Sequence, residues 1–345
     1  MKLAIISDLH LGKRMYRTDE NGINKYENIG YRVFDEYIDN IISENPDLII
    51  NAGDIFETAN PSILAMNKYV LGQKRLKNIP TMTILGNHDF AFNNKNNNCS
   101  AAAMASHTYF ADYDIKTVEL EGILFVMMPY LYAKKEAIAE YFEKCKILTE
   151  SSSCEKKILV THGVTDKYAK DSLISDPYMQ FSDEFINMFD LVIIGHIHTP
   201  YDYVQNGTLV ISPGAMIDYQ AYVDRTGPIY LDTDTMEFTK KKIRTPHIIK
   251  KKCTEDDIND ILSNVDENIY HITYRGDTNK IDNDLFIQAK NICVNLVIDV
   301  DNIDENEAED SSIDTSLNFL DWVNKNYSDY VEIFKNAMSE GGKLN

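Results

Sequence analysis

No stretch of this 345-residue chain approaches the ~20 consecutive apolar residues that a membrane-spanning helix needs. The N-terminus, MKLAIISDLHLG, turns polar at Ser7 and Asp8, too early for the core of a signal peptide. Cysteine is scarce and odd in number: Cys99, Cys145, Cys154, Cys253 and Cys293 are widely spread and form no CxxC pair. Zinc-finger spacing is absent, and the pattern fits reduced thiols better than a disulfide framework. Basic residues are also short, 34 against 54 acidic ones, for a net charge of −20. No internal repeat is evident. Together these absences predict a soluble cytoplasmic protein without a membrane segment. High Asn, Ile and Lys content fits an AT-rich genome, that of a bacterial cell or of a phage in its infected host.

Apolar residues make up 44% and charged residues 26%, close to globular averages. The acidity is uneven. Cys253–Asn345 holds 21 acidic and 6 basic residues, net −15, whereas the first 252 residues hold 33 and 28, net −5. The global charge therefore does not exclude a polyanionic substrate for the larger part of the chain.

Apolar runs at Lys2–Ile6, Asp47–Asn51, Thr81–Leu85, Ile158–Thr161 and Leu191–Ile194 read as buried strands. Shorter runs follow at 209–211, 229–231 and 238–243. Val33, Phe34, Tyr37, Ile38, Ile41 and Ile42 lie at helical spacing, and a second helix is predicted from about Ser62 to Leu76. Strands alternating with amphipathic stretches predict an α/β domain with helices covering sheets. Beyond Pro246 the pattern fades into a smaller mixed segment (Ile258–Leu262, Tyr270–Tyr274, Phe286–Val300) and an acidic, solvated linker, DNIDENEAEDSS. After it, Leu317, Leu320, Val323, Tyr327, Val331, Phe334 and Met338 form one helical stripe, widened by Trp322 and Tyr330.

Each strong strand ends in a polar cluster: Ser7-Asp8-Leu9-His10, Gly53-Asp54, Gly86-Asn87-His88-Asp89, Thr161-His162-Gly163 and Gly195-His196-Ile197-His198. The C-terminal ends of strands are where α/β sheets place their sites. A lone DxH means little. Here Asp8, His10, Asp54, Asn87, His162, His196 and His198 occur together, and buried without partners they would cost several kcal/mol. Two divalent cations would use all of them. Carboxylate, carboxamide and imidazole without thiolate favour manganese, magnesium, iron or zinc. Alternation along an extended segment places Asp8 and His10 on one side, and likewise His196 and His198. One carboxylate must bridge cations ~3.5–4 Å apart, and Asp54 is the choice.

In order and wording these clusters resemble the calcineurin-like metallophosphoesterases. Within them, GDIFE followed by Asn60-Pro61-Ser62, and Ser212-Pro213-Gly214-Ala215 after GHIH, resemble the SbcD nuclease, its meiotic-recombination homologues and the phage recombination nucleases. The resemblance covers about residues 1–235. It implies a double β-sheet sandwich flanked by helices over 1–248, a small α+β capping domain over 249–303, an acidic linker over 304–312 and a C-terminal helix over 313–345. It further implies that Asp8, His10 and His198 hold one metal and Asn87, His162 and His196 the second, with Asp54 between them. His88 would contact the scissile phosphate or protonate the leaving oxygen, and Asp89 would orient it. A metal-activated water supplies the nucleophile, so a proton donor for the leaving alkoxide is the missing part.

Glu57 stands where the family often has Asp, a departure read as outside the metal shell and not disabling. Lys13, Arg14 and Arg17 follow the first cluster and fit either DNA-backbone contact or an ordinary solvated loop. His107, His247 and His271 match no motif. The resemblance implies a manganese-dependent exonuclease or endonuclease cutting DNA ends in repair or recombination, with an SbcC-like P-loop ATPase as partner and a homodimer left open. The other enzymatic reading is a phosphatase or small-molecule phosphodiesterase on the same dinuclear core, against which the ~95 extra residues argue. A ligand-bearing scaffold is a third, weakened because no ligand position is lost. The acidity of residues 250–300 is awkward beside DNA, which they would repel unless that face turns away or a basic partner covers it. The C-terminal stripe suits docking on the ATPase coiled coil.

Overall fold

The computed structural model describes residues 1–15, 18, 24–90, 107–133, 135–172, 176, 179–217 and 226–300. Cys99, Arg17, and the expected linker and C-terminal helix lie outside them.

Two six-stranded sheets dominate. The first runs in the order Phe238–Lys240, Ile229–Asp232, Lys2–Ile6, Leu48–Asn51, Thr81–Ile84, Tyr109–Ala111. The second runs Tyr201–Gln205, Thr208–Ser212, Leu191–Gly195, Lys156–His162, Ile123–Met128, Lys116–Leu120. Central strands of both are parallel, and antiparallel strands close the edges of the second. Strand alternation explains the layering. Leu3 and Ile5 share one core with Ile50, Phe125, Val160 and Ile193, which lies between the sheets. Ala4 and Ile6, one residue out of phase, pack with Val33, Phe34 and Ile38 of the helix Lys25–Glu44. On the far side Val126, Leu159 and Val192 pack against Tyr141 and Cys145 of the helix Lys135–Glu150. The result is a helix–sheet–sheet–helix sandwich.

The helix boundaries follow local chemistry. The Asn24 side chain accepts the Glu27 N–H at 3.0 Å and starts the first long helix, and Asn45, left-handed at φ 46°, ends it. Ser62 accepts the Ala65 N–H at 3.1 Å, so the second helix spans Ile63–Arg75. The buried strand Ile123–Met128 and the helix Lys135–Glu150 are not among the elements read from the apolar pattern. The run 238–243 pairs as a strand only through Lys240.

Residues Ile248–Val300 form a third sheet of three parallel strands, Ile248–Thr254, Ile269–Arg275 and Asn295–Val300, with two helices, Glu255–Ser263 and Asn283–Ile292. The stretch Phe286–Val300 thus divides into helix end and strand at Cys293, whose N–H still bonds the Ala289 carbonyl at 3.0 Å. This sheet is sewn to the first. Ile269 is fully buried in the core that contains Tyr26 and Ile29, with Val294 and Ile248 beside it. Lys25 Nζ donates to the carbonyls of Lys290, Asn291 and Cys293 at 2.9, 2.7 and 3.2 Å, a cation at a helix C-terminus.

The thiols give a direct check on the packing. Cys145 is fully buried and its thiol is pushed up to about 12 by burial; Cys293 is likewise buried and rises to about 11. Cys253 is buried and Cys154 is half-exposed. Of these four, only Cys154 should react with an aromatic disulfide reagent at pH 8, the other three requiring denaturant. Rapid native labelling of Cys145 would mean that this layer is not packed as described.

Candidate metal centre

The polar clusters meet between the C-terminal ends of the two central strand groups. Backbone bonds knit the loops together: Asp8 N–H donates to Gly53 O at 2.9 Å, His10 N–H to Asp54 O at 3.1 Å and Leu11 N–H to Ile55 O at 3.0 Å. These tertiary bonds hold unusual conformations. Asp8, His10, Asp54 and His196 all have positive φ (50°, 44°, 52°, 99°), half of the non-glycine residues that do so among those described. Such residues cluster at sites whose surroundings over-determine them. Asp8 and His10 are therefore not on an extended segment, as alternation assumes. Left-handed turns converge them instead, with His10 Nε2 at 3.9 Å from Asp8 Oδ1. Glycine is required where backbones close in. A Cβ at Gly86 would lie 2.3 Å from Asp54 Oδ1, and one at Gly214 (φ 75°) would lie 2.5 Å from the His198 carbonyl.

Two knots of donor atoms result. In one, His10 Nε2 and His198 Nε2 face each other at 3.0 Å, and Asp8, His10 and His198 offer ligand atoms all within 4.8 Å of one another. In the other, Asn87 Oδ1 lies 3.0 Å from His162 Nε2 and 2.9 Å from His196 Nδ1. Asp54 Oδ2 stands between, 3.3 Å from His162 Nε2 and 3.7 Å from His10 Nε2. All seven residues singled out in the sequence come together here.

The opposite nitrogen of three of the four imidazoles is held from outside. His162 Nδ1 donates to the Ala52 carbonyl at 2.7 Å, His10 Nδ1 pairs with Glu57 Oε2 at 2.8 Å, and His196 Nε2 lies 3.5 Å from Asp176 Oδ2. Metal-binding histidines are oriented in this way. Asp8 is braced by Ser7 Oγ and by the His196 N–H at 3.0 Å. Asp176 in turn accepts from Tyr130 OH at 2.8 Å. Ser7, Asp176 and Tyr130 escape the sequence reading because none lies in a recognisable spacing; only the polarity of Ser7 beside Asp8 hints at its part. Glu57 proves to be the partner of His10.

Protonation follows the same layout. Burial works to raise Asp54, but His162, His10 and His88 outweigh it and hold this carboxyl well below the usual range. Burial would lower His162, yet the charges of Asp54 and Asp8 push it up to about 9. His196 is pushed down to about 4 by burial and then by His162, and His198 to about 3 by burial, His10 and Lys13. Both are neutral at pH 7 and present lone pairs. An anionic carboxylate, a carboxamide oxygen and imidazole nitrogens, each oriented and sharing two foci, fit a pair of divalent cations.

His88 is half-buried at the rim. Its ring meets His10 edge-on at 4.8 Å, and its Nδ1 donates to the Glu57 carbonyl at 2.8 Å. The expectation that Asp89 orients this ring needs correction. The Asp89 carboxylate is fully buried and accepts backbone N–H groups from Gly86 at 3.0 Å, Ile55 at 3.2 Å and Phe56 at 3.4 Å. It ties the Gly53 loop to the Gly86 loop, and the Glu57 carbonyl fixes His88. Lys13 and Arg14 are engaged within the protein, Lys13 with Glu57 at 3.2 Å and Arg14 with Glu27 at 2.7 Å. His107 contacts Thr83 Oγ1 at 3.1 Å and stacks on Phe110, away from these knots.

The family model for calcineurin-like phosphoesterases matches residues 1–200, and the chain belongs to that family. A DNA double-strand break repair protein, Mre11, of Methanococcus maripaludis is 30% identical over 214 residues, 57% of this chain and 52% of that protein. The chain thus spans about half the length of this curated relative. Among solved structures, an archaeal phosphodiesterase aligns with 70% of this chain and 100% of its own (16% identity, TM-score 0.34). A dimetal phosphatase from Danio rerio aligns with 66% and 91% (9% identity, TM-score 0.45). The chain is a phosphoesterase of the dinuclear-metal class.

Glu57→Gln tests the outer support. Removing the carboxylate behind His10 should weaken metal affinity by about 10–100-fold while the fold is kept. Competition with a fluorescent chelator measures it; unchanged affinity would leave Glu57 as a mere partner of Lys13.

Proposed function

We propose that this chain is a manganese-dependent DNA nuclease acting at DNA ends, with Asp8, His10 and His198 holding one cation, Asn87, His162 and His196 the other, and Asp54 both. The observation that carries it is the placement of Asp54 between two imidazole knots with the His88 ring at their rim. The relative that is a DNA double-strand break repair protein supports the substrate class. When bound, the cations supply Lewis-acid activation of the phosphoryl group and of the attacking water.

The remaining work falls to the chain. Asp54 and Asp8 bring two negative charges to a buried site and so bind cations in place of the proton on His162. Ala52, Glu57 and Asp176 keep the imidazoles aimed inward, so little reorientation accompanies binding. His88 has one nitrogen committed to the Glu57 carbonyl. Its Nε2 is the atom that, when protonated, donates to the scissile phosphate or to the departing 3′ or 5′ oxygen. Asp89 fixes the distance between the Asp54 and His88 loops.

An SbcC-like ATPase and a second copy of the chain are the proposed partners. For the latter, Ile63, Leu64 and Leu71 stand exposed along one helix face. The test is hydrolysis of end-labelled duplex DNA with manganese, with and without the ATPase, beside a phosphomonoester and a cyclic nucleotide. Preference for either small substrate would sink the nuclease reading.

A further inference from the structure

Residues 249–300 carry ten acidic and six basic side chains, a poor surface for a polyanion. The third sheet sorts these charges. Its strands pair in parallel with Ile248 opposite Ile269, Lys250 opposite His271, Lys252 opposite Thr273 and Thr254 opposite Arg275. Paired residues point to the same face. Ile249, Tyr270, Ile272 and Leu296 point to the other face, where both helices cover them in one apolar core. On the first face, Ile248 and Ile269 at the start of the strands are covered by the core of the larger sandwich. Lys250, Lys252 and Arg275, farther along, are exposed, with His271 and Thr273 half-exposed between them. Lys252 and Arg275 make no ion pair among the described residues.

Of the ten acidic groups, only Asp299 lies on this face. The others lie on the helices and loops. The strand is entered from Lys240, Lys241, Lys242 and Arg244, so residues 240–252 hold seven basic and no acidic residues. In a chain of net charge −20 this segregation is pronounced.

We infer that the open face of this third sheet is a track for the phosphate backbone of a nucleic acid strand, extending the substrate surface beyond the metal centre. The inference rests on the nuclease reading for its substrate. Same-face residues two apart on a strand are spaced by roughly 6.6 Å, of the order of the separation of successive phosphates along an extended strand. Lys250 and Lys252 therefore match a backbone phosphate by phosphate, with Arg275 beside them as a bidentate donor. Thr273 and His271 add hydrogen-bonding side chains, whereas an anionic lipid surface would call for exposed apolar anchors; the apolar residue of this face opposite His271, Val297, is half-buried. The acidic character of the segment then faces away from the substrate.

The test compares the full-length chain with a variant carrying Lys250→Gln, Lys252→Gln and Arg275→Gln. A control removes three charges elsewhere (Lys144→Gln, Lys146→Gln, Lys170→Gln), and melting curves verify folding. Binding of a labelled oligothymidylate and of a duplex is titrated across salt concentrations, with chelator present to prevent hydrolysis. Three lost phosphate contacts should lower the slope of log K against log salt by about 2, at roughly 0.7 per contact on a single strand. Affinity at low salt should fall at least tenfold, with hydrolysis of bis(p-nitrophenyl) phosphate in manganese unchanged. An unchanged slope, or an equal loss in the control, would overturn the inference while leaving DNA cleavage by the wild type intact. Vesicles of anionic lipid that lose binding in the variant while DNA affinity persists would overturn it in favour of a membrane. If the wild type cleaves bis(p-nitrophenyl) phosphate but neither binds nor cuts DNA, the nuclease reading itself fails, and this inference with it.

Discussion

Asp54→Ala should yield a folded protein that retains neither cation and no measurable phosphodiesterase activity. Asp54 Oδ2 lies within 3.3 Å of one imidazole knot and 3.7 Å of the other, so its loss removes a donor from both ligand sets at once. It also takes away the charge that offsets His162, His10 and His88, leaving a site with less attraction for a cation. A residue that only supports a ligand costs about 10–100-fold in affinity, and a shared ligand should cost more. Cations contribute several kcal/mol to the transition state, so turnover should fall by about 10³-fold or beyond. The check is the metal-to-protein ratio after dialysis together with the melting curve. Near-normal turnover with two cations still bound would require abandoning the shared-carboxylate arrangement.

His88→Ala separates binding from chemistry. The residue sits at the rim, with one nitrogen engaged by the Glu57 carbonyl. Both cations should stay bound, while kcat falls by about 10²–10⁴-fold, the usual range for loss of a general acid. Substrates with a good leaving group, such as p-nitrophenolate esters, need less protonation and should lose much less. That contrast distinguishes a proton donor from a structural ring. His88 also lies within ligand distance of His10 and Glu57, so loss of a cation in this variant would reassign it as a ligand.

The sandwich and the seven donor residues were legible because both leave local traces: apolar runs fix the strands, and polar clusters punctuate their ends. What stayed hidden depends on atoms distant in sequence. The turns at Asp8 and His10 are left-handed because Gly53 and Asp54 carbonyls bond their N–H groups, which alternation along a strand does not foresee. Asp89 looked like a partner for its neighbour His88, yet its carboxylate serves backbone groups of Gly86, Ile55 and Phe56. Asp176 reaches His196 across 20 residues of sequence from a loop with no spacing signature. The two faces of the third sheet likewise emerge only with strand register, since Lys250, Lys251 and Lys252 in sequence are simply three cations.

The attachment of that third sheet has a mechanical consequence. Ile269 has no exposed surface and belongs to the same core as Tyr26 and Ile29, and Lys25 bonds three carbonyls at the end of the helix Asn283–Ile292. Swinging the sheet outward would wet an isoleucine and strand a lysine. The segment is thus a fixed wall rather than a hinged door. A nucleic acid strand laid along its basic face would meet Lys250, Lys252 and Arg275 at a fixed spacing, with no hinge motion to wait for.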